Sequence, residues 1–328
     1  MEEKKELLRK TARGEKTGRR PVSLWRHFYD QETTPEGLAR AMTAFQNKFQ
    51  WDFMKVNPRA CYHAETFGVK YKMSEDPAKN QERIGSPFSS PRDWRTVKTL
   101  SPRDGALGEQ LQALRLIKKE WGDSLYILQT VFHPFSIASD LLGTPRDLIP
   151  HYQDHWKELK NGLEAITETF RGYVRAMFRE GLVDGIFFAI KDWGTADLMD
   201  DGTYREVARP YDLAVLEECA SGEFNILHVC KSNNRLFSFL DYPVHGLNWD
   251  ASDKTNPNLA SVATRTDKLI IGGMAHRGNL LSGSREDVKK EAIDVLKETR
   301  GTRFVLGAGC TVSVETPEQN LRALRETA

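Results

Sequence analysis

A single (β/α)8 TIM barrel with an N-terminal helical extension, spanning 1–328, is the α/β fold this sequence predicts. Three observations carry it. Eight short apolar runs rich in Val, Ile, Leu and Phe recur at 21–28, 52–58, 125–132, 184–190, 224–230, 244–250, 268–274 and 304–310. Runs of that kind suit parallel strands buried on both faces. Amphipathic stretches of helical period separate most of them, and every run ends in polar residues, as barrel strands do where they open on a site.

The elements follow in order. The opening MEEKKELLRKTARGEK is charged and lacks the apolar centre of a secretory signal, so a cytoplasmic protein is expected. After the first run, PEGLARAMTAFQNKF has apolar residues three and four apart behind the cap candidates Thr33 and Thr34. The stretch 72–103 holds Pro77, Pro87, Pro91 and Pro102 with little periodicity and reads as an excursion within the barrel, a candidate lid. GALGEQLQALRLIKKEW leads into the third run, and 154–180 carries a long helical pattern. Late in the chain, SREDVKKEAIDVLKETRG has a Ser cap at Ser284, acids in its first turn and Gly301 past its end.

Composition narrows the function classes. Lys plus Arg is 47 against 46 Asp plus Glu, a net charge of +1, so nothing favours a nucleic-acid partner. No apolar run reaches the roughly 18–20 residues that cross a bilayer, and no membrane role is expected. At 328 residues the chain can bury a core without disulfides. Its cysteines, Cys61, Cys219, Cys230 and Cys310, therefore read as thiols or metal ligands.

Barrel chemistry sits at the C-terminal ends of strands. The polar residues there are Arg26 and His27; Lys55 and Asn57; Gln129 and His133; Lys191 and Asp192, with Trp193; His228 and Cys230; Asn248 and Asp250; His276; and Cys310. His228 and Cys230 are two apart on one run and project to the same side. Cys310 ends the last run. One imidazole and two thiolates make a zinc set with a fourth position open; buried cysteines also pack as small hydrophobes, and spacing alone leaves both readings standing. From strand-end position, Arg26, His27, Asn57 and Asp192 are candidates for positioning a substrate. Other signals are weaker. Gly307-Ala308-Gly309-Cys310 lacks the third glycine of a dinucleotide fingerprint and reads as a tight exit from the last strand. His151 and His155 read as a solvated helix face. Trp25, Trp193 and Trp249 fit either core or pocket wall.

Three segments carry a family resemblance: GEKTGRRPVSLWRHF, WDFMKVNPRACYHAETFG and FVLGAGCTVSVETPEQNLRAL, the last with its Thr316-Pro317 and Asn320 helix start. On them the chain resembles the uroporphyrinogen decarboxylase superfamily over nearly its whole length, which implies a (β/α)8 barrel. The decarboxylase branch has Met-Arg-Gln-Ala-Gly-Arg-Tyr after its first strand, where this chain has Leu24-Trp25-Arg26-His27-Phe28-Tyr29 and keeps one arginine. It also ends its last strand in Gly-His, where Gly309-Cys310 stands here. The zinc-containing, cobalamin-dependent methyltransferase branch is similar in its His-x-Cys strand and terminal Cys, and His228, Cys230 and Cys310 match it one by one. That resemblance implies Zn2+ at these three residues. It also implies methyl transfer between a corrinoid on a separate protein and a small molecule, a thiol or a methoxylated compound. This chain has no Asp-x-His-x-x-Gly corrinoid-binding segment. The alternative is a cofactor-free decarboxylase of a porphyrinogen or other acidic substrate, with Arg26 as carboxylate clamp; a third reading is a barrel that binds a tetrapyrrole without turnover.

Overall fold

The computed structural model describes residues 3–300 and 303–328. Its strands are β1 (Phe53–Val56), β2 (Lys70–Lys72), β3 (Glu82–Gly85), β4 (Tyr126–Phe132), β5 (Gly185–Ile190), β6 (Ile226–Val229), β7 (Gly246–Trp249), β8 (Leu269–Met274) and β9 (Phe304–Ala308). Seven of them form one parallel sheet in the order β1-β4-β5-β6-β7-β8-β9, with helices between. Each lies inside one of the predicted apolar runs.

The remaining run, 21–28, closes the ring without becoming a regular strand. Val22 makes a single parallel bridge to Leu306. Ser23 N–H donates to Leu306 O, Leu306 N–H to Pro21 O, and Asp52 N–H to Val22 O. The ladder stops there for two reasons. Pro21 has no N–H to give, and the Asp52 carboxylate takes the Val22 N–H at 2.8 Å. The Ser23 hydroxyl replaces a backbone partner by accepting from Phe53 N–H at 3.0 Å.

Side chains inside the ring form their own cluster, including Leu8, Trp25, Phe53, Tyr126, Leu128, Phe187, Ala189, Ile226, Ile271 and Val305. Leu8 belongs to the N-terminal helix Lys4–Ala12, which plugs the end of the barrel opposite the site. Lys5 holds that helix to Asp184 at 2.9 Å, and Lys4 donates to Trp51 O at 2.8 Å. A larger cluster lies between strands and outer helices.

The predicted helices form at Pro35–Phe49, with Thr34 as cap, Gly105–Trp121, Trp156–Arg179 and Arg285–Glu298, where Ser284 and Asp287 make a capping box. The stop at Gly301 lies outside the described residues. Asn320 explains the Thr-Pro-x-x-Asn stretch: its buried amide donates to Asn279 O, Leu280 O and Gly283 O, anchoring the helix Glu318–Thr327.

The 72–103 excursion is tied down along its length. β2 and β3 pair antiparallel. Arg83 donates to the carbonyls of Asp140, Leu141 and Leu142, the free end of a helix. Trp94 is buried and donates to His151 Nδ1 at 2.7 Å. The expectation that His151 lies on a solvated face is thereby corrected: the excursion covers it.

Candidate metal centre

Along β6 the side chains alternate as a strand must. Ile226 and His228 face the ring interior, while Leu227 and Val229 face the outer helices. Cys230 follows in step with His228. Cys310 lies two residues past β9, after Gly309, whose backbone runs against Asp250: a Cβ there would come within 2.5 Å of Asp250 Cα. The donor atoms of His228, Cys230 and Cys310 lie within 4.8 Å of one another. A tetrahedral zinc with Zn–S about 2.3 Å and Zn–N about 2.0–2.1 Å spaces its donors roughly 3.5–3.8 Å apart. Cys310 Sγ and His228 Nε2, at 3.7 Å, already meet that spacing.

The protonation pattern suits a metal. Asn248 stands beside His228 in register on β7. Its Nδ2 donates to Ile271 O and Ala308 O, at 2.8 and 3.1 Å, which turns its Oδ1 toward the imidazole. His228 Nδ1 must then carry the hydrogen in the 2.6 Å bond to that oxygen. The Nε2 lone pair is left free, as a metal-binding histidine requires. The two sulfurs are hydrogen-bond partners. Accepting a hydrogen bond from Cys230, and facing His228 and His276, holds Cys310 well below the usual thiol range. The same bond, with burial, pushes Cys230 well above it. Cys310 is thus the sulfur that gives up its proton more readily, and the thiolate is the form that ligates soft cations.

A cavity of about 260 Å3 opens on the three residues. Trp25, His27, Lys55, Asn57, Asn80, Phe132, Phe187 and Lys191 are among its walls. Phe187 stacks on the His228 ring, centroids 5.3 Å apart. Lys55 is buried, with Nζ 4.8 Å from the Phe187 centroid and 5.9 Å from that of Trp25. Burial pulls its amine down to about 7, against the nearby Cys310, Glu32 and Cys230, which raise it. On the other side of the triad lies a second cavity of about 310 Å3, walled by Lys231, Asp250, His276 and Arg277. Asp250, 3.2 Å from His276, raises the pKa of that imidazole. A separate depression of about 800 Å3 lies between outer helices and is lined by surface Lys, Glu and Arg with no His or Cys.

The sequence-predicted residues separate cleanly. His228, Cys230 and Cys310 come together. His27 and Asn57 line the smaller cavity; His27 Nδ1 is held by Glu32 at 3.0 Å, and Asn57 Oδ1 accepts from Lys55 at 2.9 Å. Arg26 and Asp192 line neither cavity. Arg26 donates to Val314 O and lies over the Phe28 and Phe45 rings. Asp192 sits between Lys231, at 3.1 Å, and Lys191. Among the tryptophans, Trp25 is a wall of the cavity, whereas Trp193 and Trp249 are buried core. Lys55 and Asn248 ended predicted runs but had no role assigned, and Asn80 reaches the cavity from the excursion.

Comparison with known proteins gives the family and the fold. The family described as uroporphyrinogen decarboxylase (URO-D) matches residues 3–328. The chain is 24% identical over 278 residues to a methylcobamide:CoM methyltransferase, MtbA, of Methanosarcina acetivorans, covering 81% of this chain and 76% of that protein. It is 24% identical over 302 residues to the MtaA enzyme of the same description from Methanosarcina barkeri, covering 90% and 84%. Among solved structures, a methyltransferase from Methanosarcina mazei superposes with a TM-score of 0.82 at 21% identity, over 100% of this chain and 98% of that one. A B12-independent methionine synthase from Shewanella sp. W3-18-1 shares the fold more distantly, with a TM-score of 0.56.

Proposed function

The chain belongs to the uroporphyrinogen decarboxylase family, and from that premise we propose that it is a corrinoid-dependent methyltransferase with a zinc site at His228, Cys230 and Cys310. It moves a methyl group between a corrinoid carried by a separate protein and a small thiol or methoxylated compound, in the cytoplasm. The observation that carries this reading is the convergence of one imidazole and two sulfurs from β6 and the end of β9 on one cavity. The relatives' names, methylcobamide:CoM methyltransferase, support the reaction class.

The residues fit the ion. Two thiolates and a neutral imidazole leave a divalent cation formally uncharged. A zinc ion held there would supply Lewis-acid chemistry, easing the loss of a proton from a bound sulfur while leaving that sulfur electron-rich. The chain's own residues do the rest. Asn248 fixes the His228 tautomer. Phe187 and Trp25 keep water from one wall. His27, oriented by Glu32, and Asn57 position the small molecule.

Two observations weigh against a decarboxylase of porphyrinogens. Arg26, the arginine that would clamp a carboxylate, is engaged with Val314 O away from the cavity. The cavity, at about 260 Å3, falls below the roughly 300–1,000 Å3 that drug-sized ligands occupy. A tetrapyrrole with acidic arms is larger than such ligands.

Metal content decides the matter. About one zinc per chain in the purified protein, lost in Cys310→Ser, is the expected result. A protein that takes up no metal under reducing conditions would sink the reading and return the cofactor-free lyase to the front.

A further inference from the structure

The cysteines divide into two kinds. Cys61 is 6% exposed and Cys219 is fully buried, and burial pushes both thiols up to about 12. Cys219 Sγ is further engaged with Leu216 O at 3.0 Å. Cys230 and Cys310 are partly exposed and line both cavities, so a small reagent reaches them from two sides. They are hydrogen-bond partners, with sulfurs no more than 4.8 Å apart.

The backbone leaves this pair room to move. β7 and β8 stand between β6 and β9 in the sheet, so the two side chains meet across the mouth of the ring and not along one ladder. β6 ends at Val229 and β9 at Ala308, so both cysteines lie just past regular structure. After Cys230 the chain turns at Lys231, with φ of 74°. Cys310 hangs between two anchors, Gly309 N–H to Met274 O and Val312 N–H to Trp25 O, both at 3.1 Å. Drawing the sulfurs to the ~2.05 Å of a disulfide asks for side-chain rotation at two strand exits, not for the parting of packed strands.

We propose that Cys230 and Cys310 form a reversible disulfide that governs metal uptake. Reduced, the pair is open to a soft cation; oxidised, it offers no thiolate and leaves His228 without partners. Metal and disulfide compete for the same two sulfurs, so a bound ion shields the pair. Hydrogen peroxide is an oxidant of the right class. One thiolate attacks a peroxide oxygen and becomes a sulfenic acid, and the hydroxide that leaves takes up the proton the thiol gave. The second sulfur then attacks the first, and the sulfenic hydroxyl departs with the second thiol's proton as water. The two sulfurs lose two electrons in all, and two waters form. Two molecules of a small thiol reverse the step and leave as their own disulfide. The consequence for metal rests on the zinc reading above; the disulfide rests on the positions of the sulfurs alone.

The test compares chelator-stripped, reduced protein with the same protein reloaded with zinc, each treated with equimolar hydrogen peroxide. Titratable thiols in the stripped protein should fall from four to two, its intact mass should drop by two hydrogens, and a digest should yield a peptide joining Cys230 to Cys310. Zinc uptake, read with a chromogenic chelator, should be lost and then return with dithiothreitol. The reloaded protein should oxidise at least about tenfold more slowly. Four surviving thiols, oxidation of either sulfur to sulfinic acid without pairing, or a linkage through Cys61 or Cys219 overturns the pair. Zinc uptake that peroxide leaves unchanged sinks the switch and keeps the metal reading. A reversible Cys230–Cys310 disulfide in a protein that takes up no zinc when reduced keeps the disulfide, and removes both its control of metal and the metal reading.

Discussion

Replacing Lys55 by Met should make the protein more stable, not less. The side chains have similar length, so the site stays filled. Burial lowers the amine from its ordinary 10.5 to about 7, and keeping it in the folded chain at pH 7 therefore costs roughly 4 kcal/mol. Against that, Met abandons Asn57 Oδ1, a loss of about 1–3 kcal/mol, and the cation–π contact to Phe187, about 0.5–1 kcal/mol. The balance favours Lys55→Met by about 0–2.5 kcal/mol at pH 7, or about 0–4 °C in Tm. The sign reverses with alkali. The folded pKa is depressed, so between pH 7 and 10.5 the unfolded chain binds the proton and the folded chain does not. Wild type then gains stability as pH rises, and at pH 9.5 the cost has fallen to about 1.5 kcal/mol. Melting curves of both proteins at equal metal occupancy, at pH 7 and pH 9.5, should show the variant's advantage disappear. A variant less stable at pH 7, or a difference that ignores pH, would refute the reading that burial depresses the Lys55 amine.

Further outcomes follow from other parts of the structure. Asn248→Leu removes the acceptor that fixes the His228 tautomer; zinc affinity measured by chelator competition should fall roughly 10–100-fold, and an unchanged affinity would mean that Asn248 does not orient the ligand. His63 and His151 are buried and their pKa values are lowered, chiefly by that burial. Their neutral forms are favoured in the fold, so their contribution is present above about pH 6.5 and is lost as pH falls through the folded values. His276, raised by Asp250, acts in the opposite sense. Tm should decline from pH 7.5 to 5.5, and His151→Gln, which can still accept from Trp94, should flatten the slope. Leu8→Ala opens the plug of the barrel and should cost about 2–5 kcal/mol in denaturant unfolding, while metal content at the far end stays at one per chain.

The strands were legible because parallel strands buried on both faces leave continuous apolar runs. Seven runs contain strands for that reason. The eighth, 21–28, was apolar for the same reason but could not reveal that Pro21 and the Asp52 carboxylate would interrupt its ladder. The cover over His151 was illegible as well, because it depends on Trp94 arriving from a stretch with no periodicity of its own.

The pocket residues divide by a rule that the sequence already carried. Side chains two apart on a strand share a face. Trp25 faces the interior, so His27 does and Arg26 does not. Phe53 faces inward, and so do Lys55 and Asn57. Phe187 and Ala189 face inward, which brings Lys191 to the cavity and turns Asp192 away. Applied from those aromatic anchors, the period of two separates His27 and Asn57 from Arg26 and Asp192, and it adds Lys55 and Lys191. Cys310 is the exception. Val305 sets the inward face of β9, which puts residues 307 and 309 on the side of the cavity and 310 on the other. Cys310 reaches His228 because the strand ends at Ala308 and the chain turns, with Gly309 laid against Asp250 where no side chain fits. Strand period is sufficient for site residues within a strand; one beyond its end depends on the turn, and here that turn is made by a glycine and a neighbouring aspartate from β7's far end.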